Sequence, residues 1–197
     1  MSWRYGRLAV GLALFGASVA LMLAAGLGVP SWDVLHQGIA ERTGLPIGLV
    51  VNLVAVGVLL LWVPLRQRPG VGTVANVLAV GPVVDLTLAA LPSPGHWTAQ
   101  VGDLHAGIAL DGVAIGLYVG AGLGPGPRDG LMTGLAARGH PIRVVRTAIE
   151  VAGVAAGWLI GGTVGVGTAL YAVAIGPLVH HLLPRLAVKD PACPRSK

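Results

Sequence analysis

Six long apolar runs dominate this sequence, and they restrict the chain to folds that are buried in lipid. The runs lie near residues 8–26, 46–64, 72–91, 105–123, 142–160 and 166–184. A helix that crosses a hydrocarbon core of ~30 Å needs about 20 such residues. Charged residues make up only 11% of the chain, against about 25% in an average soluble domain, so they cannot cover a water-facing surface. The sequence therefore predicts an all-α polytopic membrane protein with six transmembrane helices.

Two shorter, more polar segments, 31–43 and 127–139, interrupt this series. Each begins with Pro or Ser close to an Asp, a composition typical of helix N-termini. A helix of this length reaches only about 20 Å, which is too short to span. We expect two short broken or re-entrant helices. An alternative in which both segments span, giving eight helices and parallel repeats, stays open at this point.

The two halves of the chain repeat each other, and Gly, Asp and Thr stay in register as well as the apolar residues. Shifts of 96 and then 95 residues superpose Gly28 on Gly124, Asp33 on Asp129, and the GVGT of residues 70–73 on the GVGT of residues 165–168. Such self-similarity indicates an internal duplication.

The repeat sets the domain organisation. We expect a first repeat over residues 1–95, a second over residues 104–186 and a polar cytoplasmic tail over residues 187–197. Residues 8–26 resemble a signal peptide, but their counterpart in the second repeat makes us expect them to be part of the fold.

Basic residues predict the orientation of the spans. They cluster before the first run, after the second, after the fourth and in the tail, whereas the connection at 27–45 has one Arg and the connections at 92–104 and 161–165 contain no Lys or Arg. Because cytoplasmic loops carry an excess of Lys and Arg, both termini are expected in the cytoplasm. Three spans per repeat then make the two repeats inverted, an arrangement common in secondary transporters.

The two short segments supply the first candidate site residues. Asp33 and Asp129 would line a central cavity that binds a solute or ion if these helices are re-entrant. Alternatively, each carboxylate caps its own helix. His36 and Arg128 belong to the same candidate site, and they are the better guide to the solute because the repeat does not share them.

The remaining candidates lie in the long runs. Glu150 falls near the middle of the fifth run, and Arg146 lies one helical turn earlier, so the two can pair. A carboxylate in lipid is costly unless partnered, and it marks a function by default. The alternative is a structural ion pair with Arg128 or Arg143. Asp85, in the third run, is a candidate proton carrier.

Several classes of site have no sequence signal. The only Cys, Cys193, lies in the tail, and no metal-ligand spacing, phosphate-binding loop or nucleophile elbow occurs. We expect no metal, no cofactor, no nucleic-acid partner and no enzymatic activity. The net charge of +5 resides in loops and tails, where it reports orientation.

The motifs resemble one known family. LGVPSWDVLHQGIAERTG followed by PLRQRPGVGT, and LYVGAGLGPGPRDGLMTGL followed by GGTVGVGTALYAVAIGPLV, are similar to the bacterial YczE/YyaS/YitT-type membrane proteins over nearly the whole chain. The resemblance implies a multi-pass protein of the bacterial plasma (inner) membrane and little about a substrate.

The inverted repeat favours a small secondary transporter or permease for an unidentified small solute. A lining that contains both acids and bases would suit a zwitterion or an organic acid. The alternative is an accessory membrane protein that supports a partner enzyme or transporter. Proton coupling and a homodimer both remain open.

Overall fold

The computed structural model describes residues 2–92 and 94–188, and this part of the chain is all-helical. The elements are α1 (Ser2–Ala25), α2 (Ser31–Thr43), α3 (Ile47–Leu65), α4 (Val71–Ala90), α5 (Trp97–Gly120), α6 (Pro127–Ala136), α7 (Ile142–Leu159) and α8 (Val166–Leu186). Most of the expected polar tail, including Cys193, lies outside the described residues.

The helices follow the predicted segments, with differences of up to 8 residues at their ends. α1 and α5 begin 6 and 8 residues before the apolar runs that predicted them, because polar residues such as Arg4 and Gln100 continue a helix without interrupting it. α6 ends at Ala136 rather than at residue 139, where Gly139 adopts φ +97°. This left-handed conformation, which glycine adopts readily, closes the helix with a turn.

Within the described residues, four helices are long and apolar enough to cross a membrane: α1, α3, α4 and α8. α7 carries Arg143, Arg146 and Glu150 within 18 residues, and α5 carries Asp103 and Asp111. Large hydrophobic side chains such as Val63, Leu86 and Val173 are more than 70% exposed, as expected of surfaces that face lipid tails.

An antiparallel pair, α1 and α5, forms the centre of the bundle. Gly11 lies against Tyr118, and Gly107 lies against Met22, so glycines let the two backbones approach closely. α4 packs on α1, and α8 packs in the same way on α5.

Reciprocal hydrogen bonds join the halves. Gly72 N–H at the start of α4 donates to Leu123 O at 2.8 Å, and Gly167 N–H at the start of α8 donates to Leu27 O, also at 2.8 Å. In each GVGT motif the threonine hydroxyl accepts a bond from the N-cap glycine. The duplicated motif therefore attaches each half to the turn of the other.

The short helices also cross between the halves. α2 packs against α7, where Gly157 leaves room for Leu35, and α6 packs against α3, where Gly130 lies under the ring of Trp62. The indole N–H of Trp62 donates to Pro127 O at 3.0 Å, which fixes the start of α6.

One packing contact differs between the halves. α3 and α4 pack closely through Gly48 and Gly81, and Asn52 Oδ1 accepts a 3.0 Å bond from Gly81 N–H. By contrast, α7 and α8 make almost no contact, and nothing lies within 4 Å of a Cβ built on Gly176, the counterpart of Gly81. The seam between the long helices is thus closed in the first half and open in the second.

Candidate functional site: two cavities that meet at α6

A first cavity of about 90 Å³ lies where α1, α2, α3, α4, α5 and the start of α6 face one another. Phe15 and Val54, near the midpoints of α1 and α3, form part of its apolar wall, so the cavity lies deep in the bundle. Its polar and charged lining consists of Trp32, Asp33, His36, Asn76, Tyr118, Arg128 and Asp129.

A second cavity of about 160 Å³ lies between α5, α6, α7 and α8. Two opposite charges on α7, Arg146 and Glu150, line it together with residues of α6. Tyr171 of α8 adds a hydroxyl group to this lining. This cavity is therefore richer in charge than the first.

The two cavities occupy equivalent places in the two halves. Offsets of 96 residues, and of 95 after the gap, convert eight lining residues of the first cavity into lining residues of the second: Val19 to Ile115, Trp32 to Arg128, Asp33 to Asp129, His36 to Met132, Val51 to Arg146, Ala55 to Glu150, Asn76 to Tyr171 and Val80 to Ile175. The framework is duplicated, but only the aspartate is chemically the same in both copies.

The cavities meet at three residues that line both: Tyr118, Arg128 and Asp129. The Tyr118 hydroxyl donates to Asp129 Oδ2 at 3.2 Å. The Arg128 guanidinium makes no hydrogen bond and no ion pair within 4.0 Å to any residue in the described ranges. The carboxylates of Asp129 and Glu150 act on it at longer range. We call these three residues the junction.

On the other side of the first cavity, α2 contributes a carboxylate that is hydrogen-bonded and an indole N–H that is not. Asp33 Oδ1 lies 3.0 Å from His36 Nδ1, and both side chains are largely buried. The indole N–H of Trp32 is buried without a hydrogen-bond acceptor among the described residues. Leaving such a donor unpaired costs about 1–3 kcal/mol. The two equivalent positions, 32 and 128, thus both hold donors without a hydrogen-bond acceptor in the part of the chain that the structure describes.

The carboxylates at the starts of the short helices bond to side chains. Asp33 bonds to His36 and Asp129 accepts a bond from Tyr118, and no backbone N–H in residues 2–92 and 94–188 donates to either carboxylate. Among the described residues, the expected capping bonds are therefore absent from both helices.

Glu150 also faces a third cavity of about 400 Å³ in the open seam between α7 and α8. Its Oε1 lies 3.3 Å from Arg146 Nε, so the pair predicted from the i,i+4 spacing is present. Val154 and Trp158 of α7 and Ala172 of α8 give this cavity a mostly apolar wall. Glu150 therefore lies between the second cavity and an opening on the side of the bundle.

Comparison with known proteins places the chain in a family. The model of a family of unknown function, DUF6198, matches residues 2–184. The chain belongs to this family. Among curated proteins, it is 38% identical over 177 residues to an uncharacterized protein of Haemophilus influenzae, covering 89% of this chain and 81% of the relative. It is 32% identical over 175 residues to the uncharacterized membrane protein YczE of Bacillus subtilis, covering 87% and 80%. No solved structure matches.

The predicted resemblance to YczE-type proteins is thereby confirmed, and the DUF6198 chain is a membrane protein. Neither relative's name gives an activity. Any function of the two cavities has to be argued from their residues.

One predicted candidate of the DUF6198 chain lies away from all three cavities. Asp85 Oδ1 accepts a 2.8 Å hydrogen bond from Gly48 N–H at the start of α3. It therefore satisfies one of the backbone N–H groups that a helix N-terminus leaves free. The structure does not bring it together with the other candidates.

A buried carboxylate outside the set of candidates joins three helices. Asp111, in the fourth apolar run, is 1% exposed. It accepts hydrogen bonds from Tyr171 at 2.7 Å and from Ser18 at 3.1 Å, joining α5 to α8 and α1. The repeat gave no signal because its counterpart is Phe15; only its place in an apolar run pointed to burial.

Among residues 2–92 and 94–188 of the DUF6198 chain, no three His, Cys, Asp or Glu side chains are grouped so that they could hold a metal ion. The chemistry that the site offers is charge recognition by the guanidinium groups of Arg128 and Arg146, several carboxylates and tyrosine hydroxyls.

Proposed function

We propose that this protein is a small secondary transporter or permease that moves a small solute through the junction. The observation that carries the proposal is the meeting of two repeat-related cavities at Tyr118, Arg128 and Asp129. Secondary transporters built from inverted repeats bind their substrates near the repeat interface, beside the ends of broken helices. The start of α6 is such a helix end.

The proposed topology has six spans in two inverted repeats, α1, α3 and α4 in the first and α5, α7 and α8 in the second. α2 and α6 are the additional short helices. Both termini are cytoplasmic in this arrangement, because the basic connections fall on one side. The charges that make α5 and α7 less apolar than the other spans would then face the bundle interior, as intramembrane charges generally do.

The difference between the two seams supplies a mechanism for alternating access. In the described state α3 and α4 are closed together, whereas α7 and α8 are apart. Closure of α7 onto α8 and separation of α3 from α4 would expose the junction to the opposite side. Inverted repeats allow this exchange because each half can take the conformation of the other.

Solute uptake into proteoliposomes tests the proposal. The purified protein would be reconstituted and tested with a panel of radiolabelled amino acids, organic acids and amines, with and without a proton gradient. We expect Asp129→Asn and Glu150→Gln to lower uptake of the transported solute at least about 10-fold, since each removes a charge from the cavity lining. Glu41→Gln, an exposed carboxylate of α2, is the matched control and should leave uptake unchanged.

A second candidate function is accessory: a membrane protein that supports a partner enzyme or transporter. The local pairing of Asp33 with His36 and of Arg146 with Glu150 favours it, because paired charges can be purely structural. No uptake of any solute, together with stable co-purification of one partner, would replace the transport proposal with this one. Uptake that both Asp129→Asn and Glu150→Gln leave intact would refute the site.

A further inference from the structure

Two oppositely charged neighbours at the junction, Arg128 and Asp129, form no ion pair within 4.0 Å among residues 2–92 and 94–188. Neither the Asp33–His36 pair nor the Arg146–Glu150 pair involves Arg128 or Asp129. Arg128 makes no hydrogen bond within the described ranges, and Asp129 accepts one from the neutral Tyr118 hydroxyl. Since a carboxylate has about four acceptor sites, most of Asp129's hydrogen-bonding capacity is still free.

Their positions on α6 explain why they do not neutralise each other. Arg128 and Asp129 are the second and third residues of the helix, and consecutive helical side chains diverge by about 100°. Both nevertheless line both cavities. The walls of the junction therefore present a cation and an anion that are held apart.

We infer that the junction binds a small zwitterion of the amino-acid class, which deepens the proposed transport function and rests on it. The ligand's carboxylate binds Arg128, whose planar fork matches a carboxylate with two parallel hydrogen bonds. Its ammonium group binds Asp129. A simple organic anion would bind Arg128 but would lie beside the negative charge of Asp129. A simple amine would bind Asp129 but would lie beside the positive charge of Arg128.

The cavity volumes and the unbonded indole N–H of Trp32 both agree with a ligand of the amino-acid class. Cavities of about 90 and 160 Å³ are well below the 300–1,000 Å³ that is typical of sites for drug-sized ligands, so the ligand has few heavy atoms. The indole N–H of Trp32, which has no acceptor among the described residues, lies in the wall of the same first cavity. It is a further donor that a ligand carboxylate can use.

Calorimetric titration of the full-length protein in lipid nanodiscs tests the inference. The probes are the twenty protein amino acids and β-alanine, with propionate and ethylamine as analogues that keep one charge each. We expect at least one zwitterion to bind at least about 10-fold more tightly than either analogue, the effect of one charged hydrogen bond.

Substitutions of Arg128 and Asp129 show which group of the ligand each charge binds. Arg128→Gln should weaken zwitterion binding about 10-fold or more and abolish the preference for the zwitterion over ethylamine. Asp129→Asn should abolish the preference for the zwitterion over propionate. Arg128→Lys keeps the charge but loses the fork, so its affinity should fall between wild type and Arg128→Gln. Arg143→Gln changes an exposed arginine that lines none of the three cavities, and it should bind like wild type.

Gel filtration and thermal unfolding confirm that each variant is folded before titration. Failure of every zwitterion to bind the folded wild type would overturn the inference, as would unchanged affinity in folded Arg128→Gln and Asp129→Asn. Zwitterion binding without uptake would refute the transport function and leave the inference intact. Uptake of a purely cationic or anionic solute without zwitterion binding would do the opposite.

Discussion

The contact between α2 and α7 offers a sharp test of how the first cavity is built. Gly157 lies in the last two turns of α7, under the backbone of α2. A Cβ at this position would lie 2.6 Å from the Cα of Leu35 and 2.5 Å from the carbonyl carbon of Val34, whereas ordinary contact begins at 3.4 Å. Both neighbours are backbone atoms and cannot rotate away.

The structure therefore predicts that Gly157→Ala pushes α2 away from α7 by about 1 Å, the movement that its nearest backbone atom, Leu35 N, needs to reach ordinary contact. Overpacking of this kind costs about 1–3 kcal/mol. Alanine recovers about 0.5–1 kcal/mol because it loses less backbone entropy in a helix than glycine does. We expect a net loss of about 0.5–2 kcal/mol of stability and lower uptake, because Asp33 and His36 move with α2.

Thermal unfolding of the purified variants, followed by intrinsic fluorescence in one detergent, measures the effect. Gly57→Ala is the matched control, since Gly57 lies inside α3 with nothing within 4 Å of an added Cβ. Its melting temperature should equal or exceed that of wild type. The packing argument fails if Gly157→Ala melts at or above the temperature of Gly57→Ala.

Two further substitutions separate structural carboxylates from the site. Asp111→Ala leaves the buried hydroxyl of Tyr171 without its acceptor, whereas Ser18 keeps its bond to Phe15 O, so it should lower stability by about 1–3 kcal/mol; a melting curve like that of wild type would contradict the buried geometry. Asp85→Asn weakens the bond to Gly48 N–H and should cost about 0.5–2 kcal/mol. Since Asp85 lines none of the three cavities, its uptake and the pH dependence of that uptake should match wild type, and a changed pH dependence would restore it as a proton carrier.

The sequence was sufficient to predict the helices, because a lipid bilayer permits few other backbone structures. Within a bilayer every backbone group must be satisfied inside its own segment, so each apolar run became a helix. The Gly and Pro residues that flank α2 and α6 marked their starts correctly. Helix ends that extend into polar residues, as at Trp97, carry no hydrophobic signal and were missed.

The site was only partly predictable. The repeat drew attention to positions 33 and 129, and the structure brings Asp33, His36, Arg128 and Asp129 to one cavity and Arg146 and Glu150 to the adjoining one. How deeply a side chain is buried, and which helix it faces, could not be predicted from the spacing of residues in the sequence alone. Asp85 and Asp111 both lie in apolar runs, yet one bonds a neighbouring helix start and the other is sealed between three helices.

Access to the junction from both sides of the membrane tests the central claim most directly. Met132 lines the second cavity one turn after the junction, so Met132→Cys, combined with Cys193→Ser, places a single thiol there. Membrane-impermeant thiol reagents would be applied to each face of sealed vesicles, with Gly95→Cys and Gln67→Cys as controls for the connections that the proposed topology places outside and in the cytoplasm. Alternating access predicts that residue 132 is labelled from either face and that each control is labelled from one face only. Labelling of residue 132 from a single face, with both controls behaving as expected, would contradict the transport account.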